Sequence, residues 1–322
     1  MTRLFQPDFH SRRLPVWEKA PDDEAQLARG ALWNLWGYPS EGVVRVAAWG
    51  KANSRNYLIG DGTRSHLVLK RLPDGHHYRV ALRVVQGAAP DLFPLHYRAA
   101  GTPDGAFVPE YGGFGWALMT RARGETFQGE WLAEVGHVVR LALEALAKAD
   151  GGALSPREPL TDDQVRLLVA MNDPAIQGHL EEVLPERGRL RALPLRPTHI
   201  DLHAHNLLVD PRGHVTILDI DSIRLATLPV ALGFAAFKLS RQAQVARERR
   251  GDPRAPARRF LRRALGPAIE GNDDLVWIGA KAELLTRIAF IEAEKRKGRT
   301  TWLVDADRHR LGLEEIDKLR SW

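Results

Sequence analysis

Two polar loops that flank a short apolar segment carry the residues best suited to chemistry. The first loop covers residues 198–210, and the second ends the segment 215–221. Within the first loop, Asn206 follows Asp201 by five positions. Phosphoryl transfer needs a carboxylate that orients the attacking hydroxyl and accepts its proton, and it needs oxygen ligands that hold Mg²⁺ against nucleotide phosphates. Asp201 suits the first role, and Asn206 with Asp219 suits the second.

The order of these residues matches a known motif. His199, Asp201 and Asn206 fit the pattern H-x-D-x-x-x-x-N of the kinase catalytic loop, and a strand with Ile-x-Asp at Asp219 follows. This combination resembles the aminoglycoside phosphotransferases, choline kinases and homoserine kinases of the phosphotransferase enzyme family. The resemblance implies Asp201 as the base, Asn206 and Asp219 as metal ligands, and His199 as a support of the loop.

The resemblance extends into the amino-terminal half of the chain. Lys70 ends the apolar run 67–69, as the phosphate-pairing lysine does in the third strand of kinases. Asn53 and Ser54 lie where the nucleotide-covering loop is expected, with backbone N–H groups able to cradle phosphate. Met119 and Arg121 fall near the expected adenine site. The resemblance therefore implies ATP and Mg²⁺ as cofactors.

Hydrophobic periodicity predicts the elements that must position these residues. A helix is expected over 22–36, with Asp22 or Asp23 as its cap and Gly37 as its stop. Short strands over 43–49, 56–59 and 66–72 predict a three-stranded antiparallel meander. Further segments are expected in this order: a helix over 78–87, a hairpin of 106–110 with 116–120, helices over 131–147 and 161–191, strands over 206–210 and 214–220, and mainly helix from 229 onward.

This element order predicts an α+β, two-lobed protein kinase-like fold. Residues 1–120 are expected to form a nucleotide-binding lobe with an antiparallel sheet and one helix. Residues 121–322 are expected to form a larger, mainly helical lobe for catalysis and acceptor binding. No internal repeat of fixed period is present.

The predicted activity is that of a small-molecule kinase. The γ-phosphate of ATP would pass to a hydroxyl group of a small polar molecule such as an amino sugar, a sugar or an amino alcohol. His203, Asp221 and Glu283 are the candidate contacts with this acceptor. Relatives meet amine-bearing acceptors with carboxylates of the late helices, and Glu283 stands among apolar neighbours there.

Two features depart from the kinase pattern and keep alternatives open. Kinases hold the strand lysine with a glutamate of the next helix, but no glutamate occurs between Lys70 and Glu110, and Gln86 stands near the expected place. The alternative is a catalytically weak, nucleotide-binding regulator. The histidines that alternate over 199–205 raise a second alternative, a Zn²⁺-dependent hydrolase, but it leaves Lys70, Asn206 and Asp219 unexplained.

Composition narrows the range of functions further. The 322 residues contain no cysteine, which excludes disulfides, thiolate metal sites and cysteine nucleophiles. The net charge of +6 is mild, and few aromatic residues interleave with the arginines of 241–263, so nucleic acid is not an expected partner. No stretch has the length and apolarity of a membrane span, so a cytoplasmic protein without membrane contact is expected. The oligomeric state is left open.

Overall fold

The structure is a computed structural model of the 322-residue chain. It describes residues 17–39, 44–47, 55–60, 66–73, 75–102, 105–127, 132–247, 263, 273–299 and 303–320. The described residues form two compact units. The sheet unit lies within residues 12–126 and 207–221, and the helical unit lies within residues 127–206 and 222–322. The predicted functional lobes, 1–120 and 121–322, stay a prediction.

An antiparallel sheet forms the centre of the sheet unit. Its strand order is β1-β2-β3-β4-β7-β5, with β6 paired to β7. The strands are β1 (Trp17–Lys19), β2 (Val44–Ala47), β3 (Arg55–Ile59), β4 (Leu67–Leu72), β5 (His96–Tyr97), β6 (Glu110–Tyr111) and β7 (Phe114–Thr120). The predicted meander is present as β2, β3 and β4. The predicted hairpin of 106–110 with 116–120 is shorter, because β6 holds only Glu110–Tyr111.

Two helices complete this part of the sheet unit. Helix α1 (Asp22–Trp36) has the predicted bounds and ends at Gly37, whose φ of 63° is left-handed and so favours a residue without Cβ. The predicted cap was wrong, because Pro21 occupies the N-cap position and no side chain bonds to the first turn. Helix α2 (Gly75–Ala88) is longer than predicted and is followed by a 3₁₀ turn at Pro90–Leu92.

The two faces of strand β4 meet different partners because side chains alternate along a strand. Leu69 belongs to a buried apolar cluster with Leu32 of α1 and with Tyr57 and Trp116 of the neighbouring strands. Lys70, the next residue, lies with its Nζ 5.3 Å from the ring centroid of Tyr78 on α2. Burial on both faces explains why the strand sequence reads as a short apolar run.

A second, three-stranded sheet belongs to the same unit. It consists of β8 (Glu125–Thr126), β10 (Leu207–Val209) and β11 (Val215–Ile217), in the order β11-β10-β8. Asp210 closes the β10–β11 turn, since its Oδ1 accepts from the backbone N–H groups of Arg212 and His214 at 2.8 and 2.9 Å. Gly213 takes the left-handed position of that turn, with a φ of 82°. The predicted strand over 214–220 ends at Ile217, which leaves Asp219 beyond the ladder.

The helical unit is built around long helices. They are α3 (Leu132–Leu146), α4 (Asp162–Val169), α5 (Pro174–Ala192), α6 (Leu228–Arg247), α7 (Asp273–Arg296) and α8 (Leu303–Arg320). Thr161 caps α4 in a capping box with Gln164. Strands β9 (Arg196–His199) and β12 (Ile223–Ala226) form an antiparallel pair. Within the described residues, no helix is long and apolar enough to cross a membrane.

Helices α6 and α7 pack backbone against backbone. A Cβ at Gly233 would overlap the carbonyl oxygen of Val276, and a Cβ at Gly279 would lie 2.8 Å from the backbone of Pro229. Glycine at both positions therefore lets α7 approach α6 closely. The approach fixes α7 where it carries Glu283 and Arg287.

Replacing Gly233 with alanine should destabilise the protein. The added methyl group cannot be accommodated without separating α6 from α7, so we expect a loss of about 1–3 kcal/mol in the free energy of unfolding. Urea denaturation of Gly233→Ala measures this loss. The control is Gly178→Ala on α5, where a Cβ meets no atom within 4 Å and where alanine is the better helix former. Equal stabilities of the two variants would contradict the backbone contact.

Candidate active site

Strand β4 places Lys70 in the interior of the sheet unit. The residue is 4% exposed, and its cross-strand partners are Asn56 on β3 and Ala117 on β7. A lysine is seldom buried this deeply unless carboxylates compensate its charge. Its neighbours therefore decide what the site can do.

Two aspartates compensate the lysine. Lys70 Nζ lies 3.1 Å from Asp219 Oδ1 and 2.5 Å from Asp221 Oδ1. Both aspartates follow β11, and Asp219 has a φ of 65°, a left-handed value that is uncommon for a residue with a side chain. The turn at Asp219 leads into the 3₁₀ turn Ile220–Ser222. Such backbone geometry is often maintained at functional sites.

The charged groups in this cluster change one another's pKa values. Burial alone would lower the pKa of the Lys70 ammonium, but Asp221 and Asp219 outweigh it and raise the pKa above its ordinary value. Burial and the neighbouring Asp219 carboxylate raise the pKa of Asp221 to about 6, against the opposing effect of Lys70. One cation between two carboxylates leaves a surplus of negative charge. A further cation at this position would offset that surplus.

A chain of hydrogen bonds begins at Tyr78 of α2, whose ring faces the Lys70 ammonium. The Tyr78 hydroxyl and His96 Nε2 are 2.8 Å apart, and His96 Nδ1 lies 2.8 Å from the carbonyl oxygen of Pro94. Because a carbonyl oxygen only accepts, Nδ1 carries the proton, and Nε2 accepts from Tyr78. Burial lowers the pKa of His96 to about 4, which keeps the imidazole neutral.

The buried, neutral His96 should make the protein sensitive to acid. Its pKa is lower in the folded chain than the ordinary value of 6.5, so stability is lost as the pH falls from 6.5 toward about 4. The loss attributable to His96 should reach about 2 kcal/mol between pH 6.5 and about 5. His96→Gln keeps an acceptor for Tyr78 and a donor for Pro94 but cannot be protonated. Urea denaturation at both pH values should therefore show a smaller loss in this variant than in the wild type.

The matched control for this comparison is His66→Gln, at an exposed histidine of the same unit. In this variant the free energy of unfolding should depend on pH as it does in the wild type. Since Lys70 and Asp221 lie near the same network, only the difference between wild type and variant reports on His96. Identical pH profiles for the wild type and His96→Gln would contradict the assigned protonation.

In the helical unit, strands β9 and β12 hold the predicted catalytic loop at its start. His199 pairs with Ile223, and the N–H of Ile200 donates to the carbonyl of Ser222 at 3.1 Å. The His199 ring is buried, and its Nδ1 accepts from the N–H of Asp201 at 3.3 Å. This geometry favours the supporting role predicted for His199.

Asp201 is held from several directions. Arg287 Nη2 lies 3.1 Å from Asp201 Oδ1, and His203 Nε2 lies 3.6 Å from Oδ2. The side-chain amide of Asn206 donates to the backbone carbonyl of Asp201 at 2.8 Å. The loop therefore presents a carboxylate of defined orientation, and the predicted pair Asp201 and Asn206 is brought together. His203 Nδ1 also accepts from the N–H of His205 at 3.2 Å, which folds these histidines into the loop itself.

A buried ion-pair network lies behind Asp201. Arg287 Nε donates to Glu283 Oε1 at 2.8 Å, and Arg157 binds both oxygens of Glu283 at 2.9 and 3.3 Å. Glu283 is 0% exposed. Burial would lower the pKa of Arg287, but Asp201 and Glu283 raise it, so the guanidinium stays charged. The geometry argues against the predicted contact of Glu283 with an acceptor, because its carboxylate is enclosed and paired with two arginines.

Three residues of this region were not predicted from the sequence: Arg157, Arg287 and His309. Arg287 alone has a sequence signal, its four-residue spacing from Glu283 on one helix, and this spacing is common on solvated helix surfaces as well. His309 on α8 is buried, and burial together with the charges of Lys238 and Arg287 keeps the pKa of its imidazole well below the ordinary value. It is therefore a neutral residue of the helical unit.

The predicted metal ligands have suitable chemistry. Because Asn206 donates its amide N–H to Asp201, its Oδ1 is the atom that could ligate a metal. Asp219 offers carboxylate oxygens beside a surplus of negative charge. Amide and carboxylate oxygens are the ligands that Mg²⁺ prefers. Asn206 is the last residue of the segment 127–206 of the helical unit, and the next residue, Leu207, begins β10 of the sheet unit.

The Zn²⁺-dependent hydrolase alternative finds no geometric support. Across the part of the chain that the structure describes, the group of histidine and acidic side chains close enough to share a metal ion is His179, Glu182 and Asp317. Lys281 Nζ already binds Glu182 and Asp317 there. The histidines that alternate over 199–205 form no such group within the described residues.

The remaining predicted site residues concern the nucleotide. Met119 is buried on β7, opposite Val68 of β4 and His96 of β5. Arg121 follows this strand, is exposed, and donates its backbone N–H to the carbonyl of His66 at 2.7 Å. Their predicted place near adenine stays a prediction. Asn53 and Ser54 lie outside the described residues.

Solved structures of similar fold include three examples with very low sequence identity. A spectinomycin phosphotransferase in complex with ADP and spectinomycin has a TM-score of 0.61 at 12% identity, covering 92% of this chain and 93% of its own. A choline/ethanolamine kinase family protein from Mesorhizobium loti has 0.62 at 16%, covering 93% and 95%. An amicoumacin kinase in complex with AMP-PNP, Ca²⁺ and Ami has 0.63 at 15%, covering 92% and 94%. These likenesses confirm the predicted protein kinase-like, α+β fold.

No curated protein matches the sequence. The sequence does match a model of a protein family. The model described as "Phosphotransferase enzyme family" matches residues 44–252. The match spans Lys70, Asp201, Asn206 and Asp219, whereas Arg287 lies beyond it. The resemblance and the enzyme class predicted from the catalytic loop are thus confirmed, and the chain belongs to the phosphotransferase enzyme family.

Proposed function

We propose that this protein is an ATP- and Mg²⁺-dependent kinase that phosphorylates a hydroxyl group of a small polar molecule. The observation that carries the proposal is the orientation of Asp201, whose carboxylate pairs with Arg287 while its backbone carbonyl accepts from Asn206. A phosphoryl-transfer site depends mainly on positioning and electrostatics, so a carboxylate held on a rigid loop is the part that matters most.

Asp201 is the proposed base. The proton of the acceptor hydroxyl passes to a carboxylate oxygen of Asp201, and the freed oxygen forms a bond to the γ-phosphorus. The bond between that phosphorus and the bridging oxygen of the β-phosphate breaks, and ADP leaves. Arg287 binds Oδ1 of the carboxylate, so we assign proton acceptance to Oδ2.

Lys70, Asn206 and Asp219 are the proposed nucleotide and metal contacts. Lys70 contributes a buried ammonium that binds phosphate oxygens. Asn206 Oδ1 and the Asp219 carboxylate are the oxygens assigned to Mg²⁺. A Mg²⁺ ion held by these oxygens would offset the negative charge that develops on the phosphates during transfer. Asn53, Ser54, Met119 and Arg121 are assigned to nucleotide binding by the family resemblance.

The proposed acceptor class is that of amino sugars, sugars and amino alcohols. Support comes from the similar structures, of which one is a spectinomycin phosphotransferase and another belongs to a choline/ethanolamine kinase family. His203 is the proposed acceptor contact, because its ring lies beside the carboxylate oxygen assigned to proton acceptance.

The alternative function is a nucleotide-binding regulator with little activity. It was motivated by the missing helix glutamate, and α2 indeed carries no acidic residue. The absence of a helix glutamate is weak support for a regulator, because two carboxylates pair with Lys70 and hold it in a defined place.

Nucleotide binding and turnover separate these functions. Thermal unfolding is recorded with and without ATP and Mg²⁺, and ADP formation is then followed across a panel of amino sugars, sugars and amino alcohols. A kinase shows both stabilisation by nucleotide and acceptor-dependent ADP formation. Stabilisation without turnover on any acceptor supports the regulator, and absence of both contradicts the proposed function.

A further inference from the structure

The fold requires an anionic partner for its strand lysine, and α2 provides none. In kinases this partner is a glutamate of the helix after the third strand. Helix α2 has the sequence GHHYRVALRVVQGA, without an acidic residue. The residue of α2 that approaches Lys70 is Tyr78, through its ring face at 5.3 Å. A neutral ring orients an ammonium group less strictly than a carboxylate does.

Asp221 makes the closer of the two carboxylate contacts with Lys70. Its Oδ1 lies 2.5 Å from Nζ, compared with 3.1 Å for Asp219. The backbone carbonyl of Asp221 also accepts from His77 Nε2 of α2 at 3.2 Å. Asp221 is therefore fixed to the same helix that supplies the partner glutamate in other kinases.

Asp219 and Asp221 are not equivalent partners of Lys70 once the nucleotide is bound. The family motif assigns Asp219 to the metal ion, and a metal ion held there would compete with Lys70 for the Asp219 carboxylate. An ammonium group has three N–H donors. If one N–H group donates to Asp221, the ammonium group of Lys70 stays oriented and still has two donors for phosphate oxygens.

We propose that Asp221 is the positioning residue for Lys70 and replaces the helix glutamate of other kinases. This inference rests on the proposed function and assigns a residue that was predicted from the sequence as an acceptor contact. The strand lysine is thus held by a carboxylate two residues after the metal-binding aspartate. Binding of ATP, more than the transfer step itself, depends on this contact.

Asp221→Asn tests the assignment, because asparagine keeps the shape of the side chain and removes its charge. We expect the KM for ATP to rise by about 10- to 100-fold, the range that corresponds to the loss of one hydrogen bond between charged groups. Direct titration with ATP in the absence of metal should show a similar loss of affinity. The concentration of Mg²⁺ that gives half-maximal activity should stay near the wild-type value. The matched control is Asp91→Asn, an exposed carboxylate just after α2, which should behave as the wild type does.

A double-mutant cycle separates positioning from other roles. In a Lys70→Met background, Asp221→Asn should have little further effect on metal-free ATP affinity, because its effect operates through the lysine. Independent effects of the two substitutions would contradict the proposal. A change confined to the Mg²⁺ requirement would also contradict it and would make Asp221 a metal ligand.

Folding and the proposed function are checked in the same series. Thermal unfolding shows whether each variant folds. If Asp221→Asn does not fold, the cycle is run with Asp221→Ser, which also removes the charge, and an unchanged KM for ATP in that variant would contradict the proposal. Wild-type protein that binds no ATP would overturn the proposed function. Wild-type turnover together with an unaffected Asp221→Asn variant would overturn this inference alone.

Discussion

Asp201→Asn should lower kcat by about 10²- to 10⁴-fold, the usual contribution of a positioned general base. Asparagine can still accept a hydrogen bond from Arg287, which lies 3.1 Å from the Asp201 carboxylate, so the loop should keep its shape. ATP binding should therefore be retained, because Asp201 is assigned to the acceptor hydroxyl and not to the nucleotide. Initial rates of ADP formation and ATP titration measure the two effects separately.

The matched control for Asp201→Asn is Glu144→Gln, which neutralises an exposed carboxylate on α3 of the same unit. It should leave both kcat and ATP affinity unchanged. An Asp201→Asn variant with wild-type kcat would exclude Asp201 as the base. A variant that loses ATP binding as well would show that the residue acts in binding, or that the loop had changed shape.

Arg287→Met should reduce both stability and activity. Removing one partner of a buried ion pair typically costs about 3–5 kcal/mol, because the remaining charge is left without compensation. Glu283 is fully buried but keeps Arg157, so we expect a loss near the lower limit, about 3 kcal/mol. Asp201 would also lose the group that orients it, and kcat should fall by about a hundredfold. Urea denaturation and initial rates measure the two losses.

A second substitution distinguishes the two roles of Arg287. The double variant Arg287→Met/Glu283→Leu removes the stranded carboxylate, and Arg157, which is partly exposed, can be solvated. Stability should largely recover, whereas kcat should stay low. Recovery of kcat would contradict the positioning of Asp201 by Arg287. Arg296→Met is the control on the same helix, since this arginine pairs with Glu292 at the surface and should contribute less than about 1 kcal/mol.

The elements with strong local signals were predictable from the sequence. Helix α1 has the predicted bounds because its apolar spacing is regular and Gly37 provides a left-handed end. Thr161 was recognisable as a cap because a hydroxyl side chain precedes the helix and Gln164 completes the capping box. The meander of β2, β3 and β4 followed from short apolar runs with turn residues between them. Each of these features depends on residues close together in the chain.

Among the contacts of the site, only those between residues of one sequence motif were predictable. Asp201 and Asn206 lie within one loop, so their spacing fixed their relation. The contact of Lys70 with Asp221 joins residues 151 positions apart, and Asp221 was predicted as an acceptor contact because no local pattern links it to β4. Arg287 reaches the loop only because Gly233 and Gly279 let α7 approach α6. A helix-surface pattern cannot distinguish such a buried arginine from a solvated one.

Asp201 is proposed to promote transfer of the γ-phosphate of ATP to an acceptor hydroxyl. The most direct measurement is phosphorus NMR of the products formed from ATP, Mg²⁺ and an active acceptor by the wild type and by Asp201→Asn, with ATP binding measured in parallel. We expect ADP and a phosphate monoester of the acceptor in equal amounts with the wild type, and ATP binding without either product in the variant. Formation of the monoester at the wild-type rate by Asp201→Asn, or ADP formed by the wild type with free phosphate in place of the monoester, would contradict it.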